Sequence, residues 1–235
     1  MRMKWLGVFG VFAVTSTFAA TTPLSLQSAC VAQRSTIRNA YEHDRFDVSP
    51  AISRVMLTAI NGDTVAMQAG LSILPPSEAK LWRQEALDTA AHFGQLTVVT
   101  VLLNDGADPN AQVPMVWFKT SNSPTVPSPP ALFGAFQCHD LAVTKLLLHH
   151  GANPNFHHDG QELLWWAITS GGAPMVQTVL DAGADVCAMD RRIADVRKKL
   201  HESARPNVVA DSAREENLGS ALVQRLTCHA PPTSA

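Results

Sequence analysis

The sequence predicts an all-α solenoid made of about four stacked helix pairs. A five-residue segment opening with glycine and alanine returns three times along the chain, at 106–110, 151–155 and 183–187. Each copy follows a stretch with helical apolar spacing, and no stretch shows the sustained alternation typical of a half-buried strand. A helical unit that repeats in this way indicates a solenoid.

The second helix of each unit carries an apolar stripe. In the first clear unit the apolar residues lie at positions i, i+1, i+4 and i+5, on one face of a helix: Val98, Val99, Leu102 and Leu103. The next two units repeat the stripe with Val143, Leu146, Leu147 and Leu148, and then with Val176, Val179 and Leu180. A single helix pair cannot bury such a face, so neighbouring pairs must stack to close the core.

The spacing of these units resembles that of ankyrin repeats. Gly151 and Gly183 are 32 residues apart, close to the ankyrin period of about 33. Gly106 and Gly151 are 45 residues apart, which indicates roughly 13 inserted residues relative to that period. The predicted repeats are 49–80, which is degenerate, 81–112, 126–157 and 158–190, with an insertion at about 113–128.

The resemblance departs from the ankyrin consensus at the start of the inner helices. The consensus opening Thr-Pro-Leu-His is absent, and 85–88, 130–133 and 162–165 stand in its place. The hydrogen bonds that this opening makes between ankyrin repeats must therefore be missing or replaced. The resemblance implies a scaffold that binds other proteins and performs no catalysis.

The amino terminus is predicted to be an export signal covering residues 1–19. Arg2 and Lys4 precede an apolar run from Trp5 to Val14, and small residues then lead to a cleavage site after Ala19. The run is too short to span the ~30 Å of hydrocarbon in a bilayer. The mature chain is therefore expected outside the cytoplasm without stable membrane insertion, in the periplasm of a Gram-negative source and otherwise secreted.

Terminal segments are predicted to cap the stack. Residues 20–48 contain a helix expected to cover its open end, residues 191–230 supply irregular capping helices, and 231–235 form a frayed tail. Loss of two basic residues with the signal leaves 16 of 18 basic residues against 20 acidic ones. This net negative charge argues against nucleic acid or an anionic membrane as the ligand.

The four cysteines suit an exported protein. Cys30, Cys138, Cys187 and Cys228 are even in number and follow an export signal, so disulfides are permitted. Three pairings are open, and a disulfide between Cys187 and Cys228 is the preferred one because it ties the last repeat to the terminal segment. In the alternative interpretation each cysteine is a small buried apolar residue.

The insertion carries two neighbouring aromatic residues, Trp117 and Phe118, followed by a run rich in proline. On an exposed loop such residues anchor a partner. They can equally fold back onto the stack as a local plug, and the sequence leaves both interpretations open. Within the ankyrin resemblance, recognition positions lie at the finger tips and at the exposed ends of inner helices. The remaining predicted partner-binding residues are Trp82, His92, Phe93, His158 and Asp159.

Five histidines near one repeat junction provide an alternative hypothesis: His139, His149, His150, His157 and His158. Imidazole is a common ligand of divalent metals, so this cluster could belong to a metal-binding or enzymatic factor. In the simpler interpretation His149 and His150 end an outer helix, where cations suit the helix dipole. The sequence shows no paired nucleophile and base and no phosphate-binding glycine loop. No enzyme activity, cofactor or metal site is therefore predicted.

The leading prediction is an exported, non-catalytic protein–protein interaction module whose partner is another protein. Exported bacterial proteins with a similar layout include periplasmic adaptors and neutralisers of toxic enzymes. A third hypothesis is a purely structural spacer, which would not depend on residues 113–128.

Overall fold

The computed structural model describes residues 23–43, 48–112, 130–158, 161–191, 210 and 216–228. In chain order its helices are α1 (Pro23–Glu42), α2 (Pro50–Asn61), α3 (Thr64–Ser72), α4 (Pro76–Phe93), α5 (Leu96–Asn104), α6 (Ala131–Gln137), α7 (Leu141–His149), α8 (Leu163–Trp166), α9 (Gly172–Asp181) and α10 (Ser220–Arg225). A π-helical turn, Ala167–Gly171, joins α8 to α9. Two-residue strands β1 (His157–His158) and β2 (Gln161–Glu162) pair antiparallel. Residues 186–191 are also helical.

Consecutive helices form antiparallel pairs that stack side by side. The pairs are α2 with α3, α4 with α5, α6 with α7, and α8 and the π turn with α9. In the inner layer, α4 packs between α2 and α6. In the outer layer, α3, α5, α7 and α9 contact one another in that order. The predicted all-α solenoid is confirmed, and the weakly patterned segment before α4 contains the first helix pair, α2 with α3.

The apolar stripes of the outer helices lie in the core. Val98, Val99 and Leu102 are fully buried, as are Val143 and Leu147 in the next repeat. They belong to one apolar cluster that continues through the described part of the stack. Each such side chain contributes about 1.5–3 kcal/mol relative to leaving it in water.

The inner helix α4 starts earlier than its repeat pattern predicts. The Pro75-Pro76 pair does end α3, but Pro76 then occupies the first turn of α4. Proline is well suited to that turn because its missing N–H would have no helical partner there. As a result α4 has 18 residues, and Trp82 lies inside a helix rather than in a finger.

The fourth inner helix also differs from the pattern. Gly171 aligns with Gly94, the left-handed residue that ends α4 with φ 72°. In the fourth repeat the helix continues as a π turn through Gly171, and the positive φ of 70° falls on Gly172 instead. A π turn of this kind accommodates one extra residue within a helix.

The N-terminal helix α1 contacts α2, α4, α6 and the π turn. It therefore runs along the stack rather than over its open end, which corrects the predicted cap. Three of its side chains, one helical turn apart, meet the ends of successive inner helices. Cys30 is joined to Cys138 after α6, Arg34 Nε donates to the His92 carbonyl oxygen at 2.8 Å, and Arg38 reaches Asn61 Oδ1 at 2.5 Å.

The same helix inserts apolar side chains into the core. Ile37 and Tyr41 are buried. Burial raises the pKa of the Tyr41 phenol well above 10, and the negative charge of Glu85 on α4 raises it further. The arginines of α1 also suit their positions, because cations stabilise the carbonyl end of a helix.

Candidate protein-binding surface

Side-chain amides hold the fingers of the repeats to the neighbouring elements. Gln84 on α4 donates from Nε2 to the Asp108 carbonyl oxygen at 2.7 Å and accepts from the Asp108 N–H at 3.0 Å. The side-chain amide of Asn110 likewise binds backbone groups of the finger that follows α7. It donates to the Gly151 carbonyl oxygen at 2.8 Å and accepts from the Asn153 N–H at 2.7 Å.

The third amide repeats this geometry. Asn155 accepts from the Asp185 N–H at 2.7 Å and donates to the Gly183 carbonyl oxygen at 3.4 Å. We call Gln84, Asn110 and Asn155 the amide clamps. Each satisfies one backbone donor and one backbone acceptor in an irregular segment, where no regular ladder is present to do so.

The clamps show how the array accommodates its insertion. Asn110 and Asn153 are 43 residues apart in the chain, yet they are paired in the same way as Asn155 and Asp185, which are 30 apart. The additional residues therefore leave the contact between neighbouring fingers intact. The insertion, with Trp117 and Phe118, lies outside the described residues, as does Asp159.

The second finger is a short hairpin that leads into aromatic residues. The Leu163 N–H donates to the Phe156 carbonyl oxygen at 2.9 Å and closes this finger. The Phe133 ring meets the rings of Phe156 and Trp166 edge-on, with centroid distances of 6.2 and 6.3 Å. Trp165 and Trp166 both pack against the core and are half-buried.

Two predicted partner-binding residues do not lie on the surface. Trp82 is 5% exposed and His92 is 6% exposed. The early start of α4 places Trp82 within the apolar core, and α1 covers the end of α4 where His92 lies. Neither side chain is accessible to a partner in this conformation, so both predictions of an exposed contact are wrong.

The other predicted residues have mixed positions. Phe93 is half-buried beneath two guanidinium groups, with Arg34 Cζ 5.9 Å and Arg38 Cζ 5.8 Å from the ring centroid. The backbone of His158 pairs with Gln161 in the second finger, and its side chain lies outside the described part of the structure. Phe93 thus contributes an edge to the surface beside α1.

His92 packs against the disulfide between Cys30 and Cys138. Its Nδ1 lies 3.7 Å from Cys138 Sγ, and its Nε2 lies 3.9 Å away. Burial lowers the pKa of His92 to about 4, with a further contribution from the positive charge of Arg34. The imidazole is therefore neutral at pH 7.

The three side chains Cys30, His92 and Cys138 have the donor types of a metal site. Metals bind cysteine as the thiolate. Both sulfur atoms are joined in the disulfide, so neither is available as a ligand. The positive charge of Arg34 acts on the same site. In the oxidised protein these groups therefore do not fit a metal ion.

Among the side chains that the structure describes, the histidines of this cluster are not assembled as the metal hypothesis requires. His139 lies in the turn before α7, and His149 and His150 lie at the other end of this nine-residue helix, about 13 Å along its axis. One ion cannot bind both groups. His139 instead has φ 55°, the left-handed conformation that Gly94 adopts in the preceding repeat.

All four cysteines form disulfides. Cys187 is joined to Cys228 with Cα atoms 5.0 Å apart, the pairing preferred from the sequence. Cys30 is joined to Cys138 with Cα atoms 5.3 Å apart, and no cysteine is free. Once Cys187 is paired with Cys228, only Cys30 and Cys138 remain to pair with each other. That this bond fastens α1 to the stack depends on the position of α1, which the sequence does not show.

Among the described helices, none combines the length and apolarity needed to cross a bilayer. The ankyrin repeat family model matches residues 84–113. Among solved structures, the crystal structure of the ankyrin repeat domain of Bcl-3, described as a unique member of the IkappaB protein family, matches with 24% identity, 81% coverage of each chain and a TM-score of 0.47. No curated protein matches.

The matched segment spans α4 from Gln84, α5 and the first finger, and the same helix pair and finger recur along the stack. Residues 84–113 are therefore similar to an ankyrin repeat, and the fold is an all-α solenoid built of helix pairs of this kind. Ankyrin repeats indicate a protein–protein interaction module, and the fold is in general a non-catalytic scaffold.

Proposed function

We propose that this chain is an exported, non-catalytic module that binds another protein through its fingers and the insertion between them. The observation that carries the proposal is the continuous stack of clamped fingers on either side of the insertion. Because the clamped fingers hold both flanks of the insertion in place, binding need not order those flanks. The smaller loss of conformational entropy strengthens binding. The net negative charge of the mature chain favours a protein partner over nucleic acid.

Export is supported by the cysteines as well as by the predicted signal. With all four cysteines in disulfides, the chain suits an oxidising compartment, because such bonds are rare in a reducing cytosol. Cell fractionation followed by N-terminal sequencing tests this part of the proposal. The stable protein is expected outside the cytoplasm and to begin near Ala20. A stable cytoplasmic product that retains residues 2–18 would contradict it.

Trp117 and Phe118 are the proposed anchors of the insertion. Replacing both with alanine is expected to weaken partner capture about thirtyfold or more, since a truncated aromatic anchor costs ~2 kcal/mol or more. The matched control is Ile73→Ala, directly after the end of α3, which truncates a side chain that is 75% exposed outside the fingers. It is expected to leave binding unchanged.

The experiment captures partners with the tagged mature chain inside its own compartment, and then measures affinity for the recovered protein with both variants. Thermal unfolding of the same samples separates an anchor from a plug. Unchanged affinity together with a large loss of stability for the Trp117 and Phe118 double variant would overturn the anchor role.

Two narrower forms of the function are an adaptor and a neutraliser of a toxic enzyme. A neutraliser is expected to abolish the activity of a captured enzyme at one-to-one stoichiometry and to restore growth of cells that export the enzyme. An adaptor leaves the activity of its partner intact. Titrating the mature chain into the recovered partner therefore distinguishes the two.

A further inference from the structure

The two disulfides tie opposite ends of the chain to the stack, and they differ in burial. Cys30 is 4% exposed and Cys138 is 9% exposed. Cys187 and Cys228 are both half-buried. A thiol can attack a disulfide only along a path that reaches one of the sulfur atoms. The two bonds therefore present different barriers to the same reductant.

The bond between Cys30 and Cys138 is shielded by packed elements. His92 lies against Cys138 Sγ, and Arg34 fixes α1 to the end of α4. Because α1 also contacts α2, α6 and the π turn, a reductant reaches these sulfur atoms only after α1 lifts from several repeats at once. Openings of that size are rare in a native protein.

The bond between Cys187 and Cys228 holds a smaller element. It joins residues 186–191, at the end of the last repeat, to the residues just after α10. Helix α10 has six residues and contacts α9. Its side chains Leu222 and Val223, and Leu226 directly after it, are buried in the core cluster.

The polar contact between α10 and α9 is weak. Arg225 donates to Asp181 Oδ1 at 2.9 Å, and these side chains are 39% and 58% exposed. An ion pair in water at this exposure contributes little. A six-residue helix is also marginal by itself. Beside the burial of its apolar side chains, the covalent bond is therefore the restraint on α10 that a reductant can remove.

We propose that the disulfide between Cys187 and Cys228 is a reducible lock on α10, while the disulfide between Cys30 and Cys138 stays closed under the same conditions. A dithiol reductant supplies the two electrons. One of its thiolates attacks Cys187 or Cys228 and expels the other cysteine as a thiolate. The second thiol of the reductant then displaces the mixed disulfide, leaving two protein thiols and an oxidised, cyclic reductant.

Opening the lock exposes the end of the solenoid. Terminal repeats need a cover over their apolar face. Among the described residues, α10 and the leucine that follows it bring Leu222, Val223 and Leu226 to that cover. Its release uncovers the side of α9 that contacts it, without requiring the fingers or α1 to move. The device therefore changes one end of the stack and leaves the amide clamps in place.

The test uses the mature oxidised chain in native buffer with dithiothreitol as the probe. Free thiols are trapped over time with an alkylating reagent and assigned by peptide mass spectrometry. Cys187 and Cys228 are expected to react ~10-fold or more faster than Cys30 and Cys138, since the shielded pair waits for a larger opening. Equal rates, or faster reaction of Cys30 and Cys138, would overturn the proposal.

Amide hydrogen exchange of the partly reduced sample supplies the second readout. Exchange within 220–226 is expected to accelerate at least ~10-fold while 98–103 and α1 keep their protection. The variant Cys187→Ser with Cys228→Ser should show the same released α10 without reductant, and Cys30→Ser with Cys138→Ser should keep α10 protected. Unchanged exchange in 220–226 after reduction, or loss of protection throughout the stack, would each refute the lock.

Discussion

The clamp formed by Gln84 provides a direct test of what holds the fingers in place. Replacing Gln84 with methionine keeps the length of the side chain but removes its hydrogen bonds of 2.7 and 3.0 Å to the backbone of Asp108. Each bond contributes about 0.5–1.5 kcal/mol net. Asp108 is itself exposed, so water can hydrate its released N–H and carbonyl groups. The expected loss is therefore ~2 kcal/mol in the free energy of unfolding.

The assay is urea and thermal unfolding followed by helical circular dichroism. For a chain of this size, ~2 kcal/mol corresponds to a fall in Tm of about 4–8 °C. The matched control is Gln68→Met on α3. It removes one exposed hydrogen bond of 3.0 Å to Asp105 and is expected to cost ~0.5 kcal/mol or less. If the two variants lose equal stability, the clamp is not the interaction that holds the first finger.

Two further predictions concern the junction of α1, α4 and α6. The pKa of His92 is about 4 when folded, below its ordinary unfolded value, so its stabilising effect is complete above pH ~6.5 and is lost as the pH falls toward 4. The unfolding free energy of the wild type relative to His92→Gln should therefore fall by ~3 kcal/mol between pH 7 and 4, and parallel pH profiles would contradict this. Gly94→Ala should destabilise more than Gly106→Ala, because both glycines have positive φ but only at Gly94 would the new Cβ approach another side chain, Asp140 Oδ2, at 2.5 Å. If chemical unfolding shows the same loss of unfolding free energy for both variants, the Asp140 side chain moves away from the new Cβ at no cost.

The repeats themselves were predictable because their signals are local. Helical spacing of Val98, Val99 and Leu102 depends only on the chain within a few residues. The same holds for the left-handed glycines that end α2 and α4. The early start of α4 was missed because Pro76 is both a helix breaker for α3 and a suitable first residue for α4. Pro76 was therefore compatible with a loop and with the first turn of a helix. The helix allows Trp82 to pack into the core.

The surface was harder to predict, since exposure depends on segments that are distant in sequence. His92 occupies the end of an inner helix, where an ankyrin array usually exposes its side chains, but α1 returns over that end. Arg34 and the His92 carbonyl oxygen that it binds are 58 residues apart. The spacing of Cys30, Arg34 and Arg38 at one helical turn each was visible in the sequence. That these three side chains contact the ends of three inner helices could be seen only from the positions of those helices.

The absence of the Thr-Pro-Leu-His opening raises the question of what replaces it. In the described structure, three kinds of contact act at different edges of the stack. The amide clamps hold the fingers, Gln95 Nε2 binds the Ile60 carbonyl oxygen at 2.6 Å across the first helix–helix turns, and α1 crosses the ends of the inner helices. None of these depends on the lost residues. These edge contacts act together with the apolar core to keep the repeats in register, so the array stacks although its inner helices lack the consensus opening.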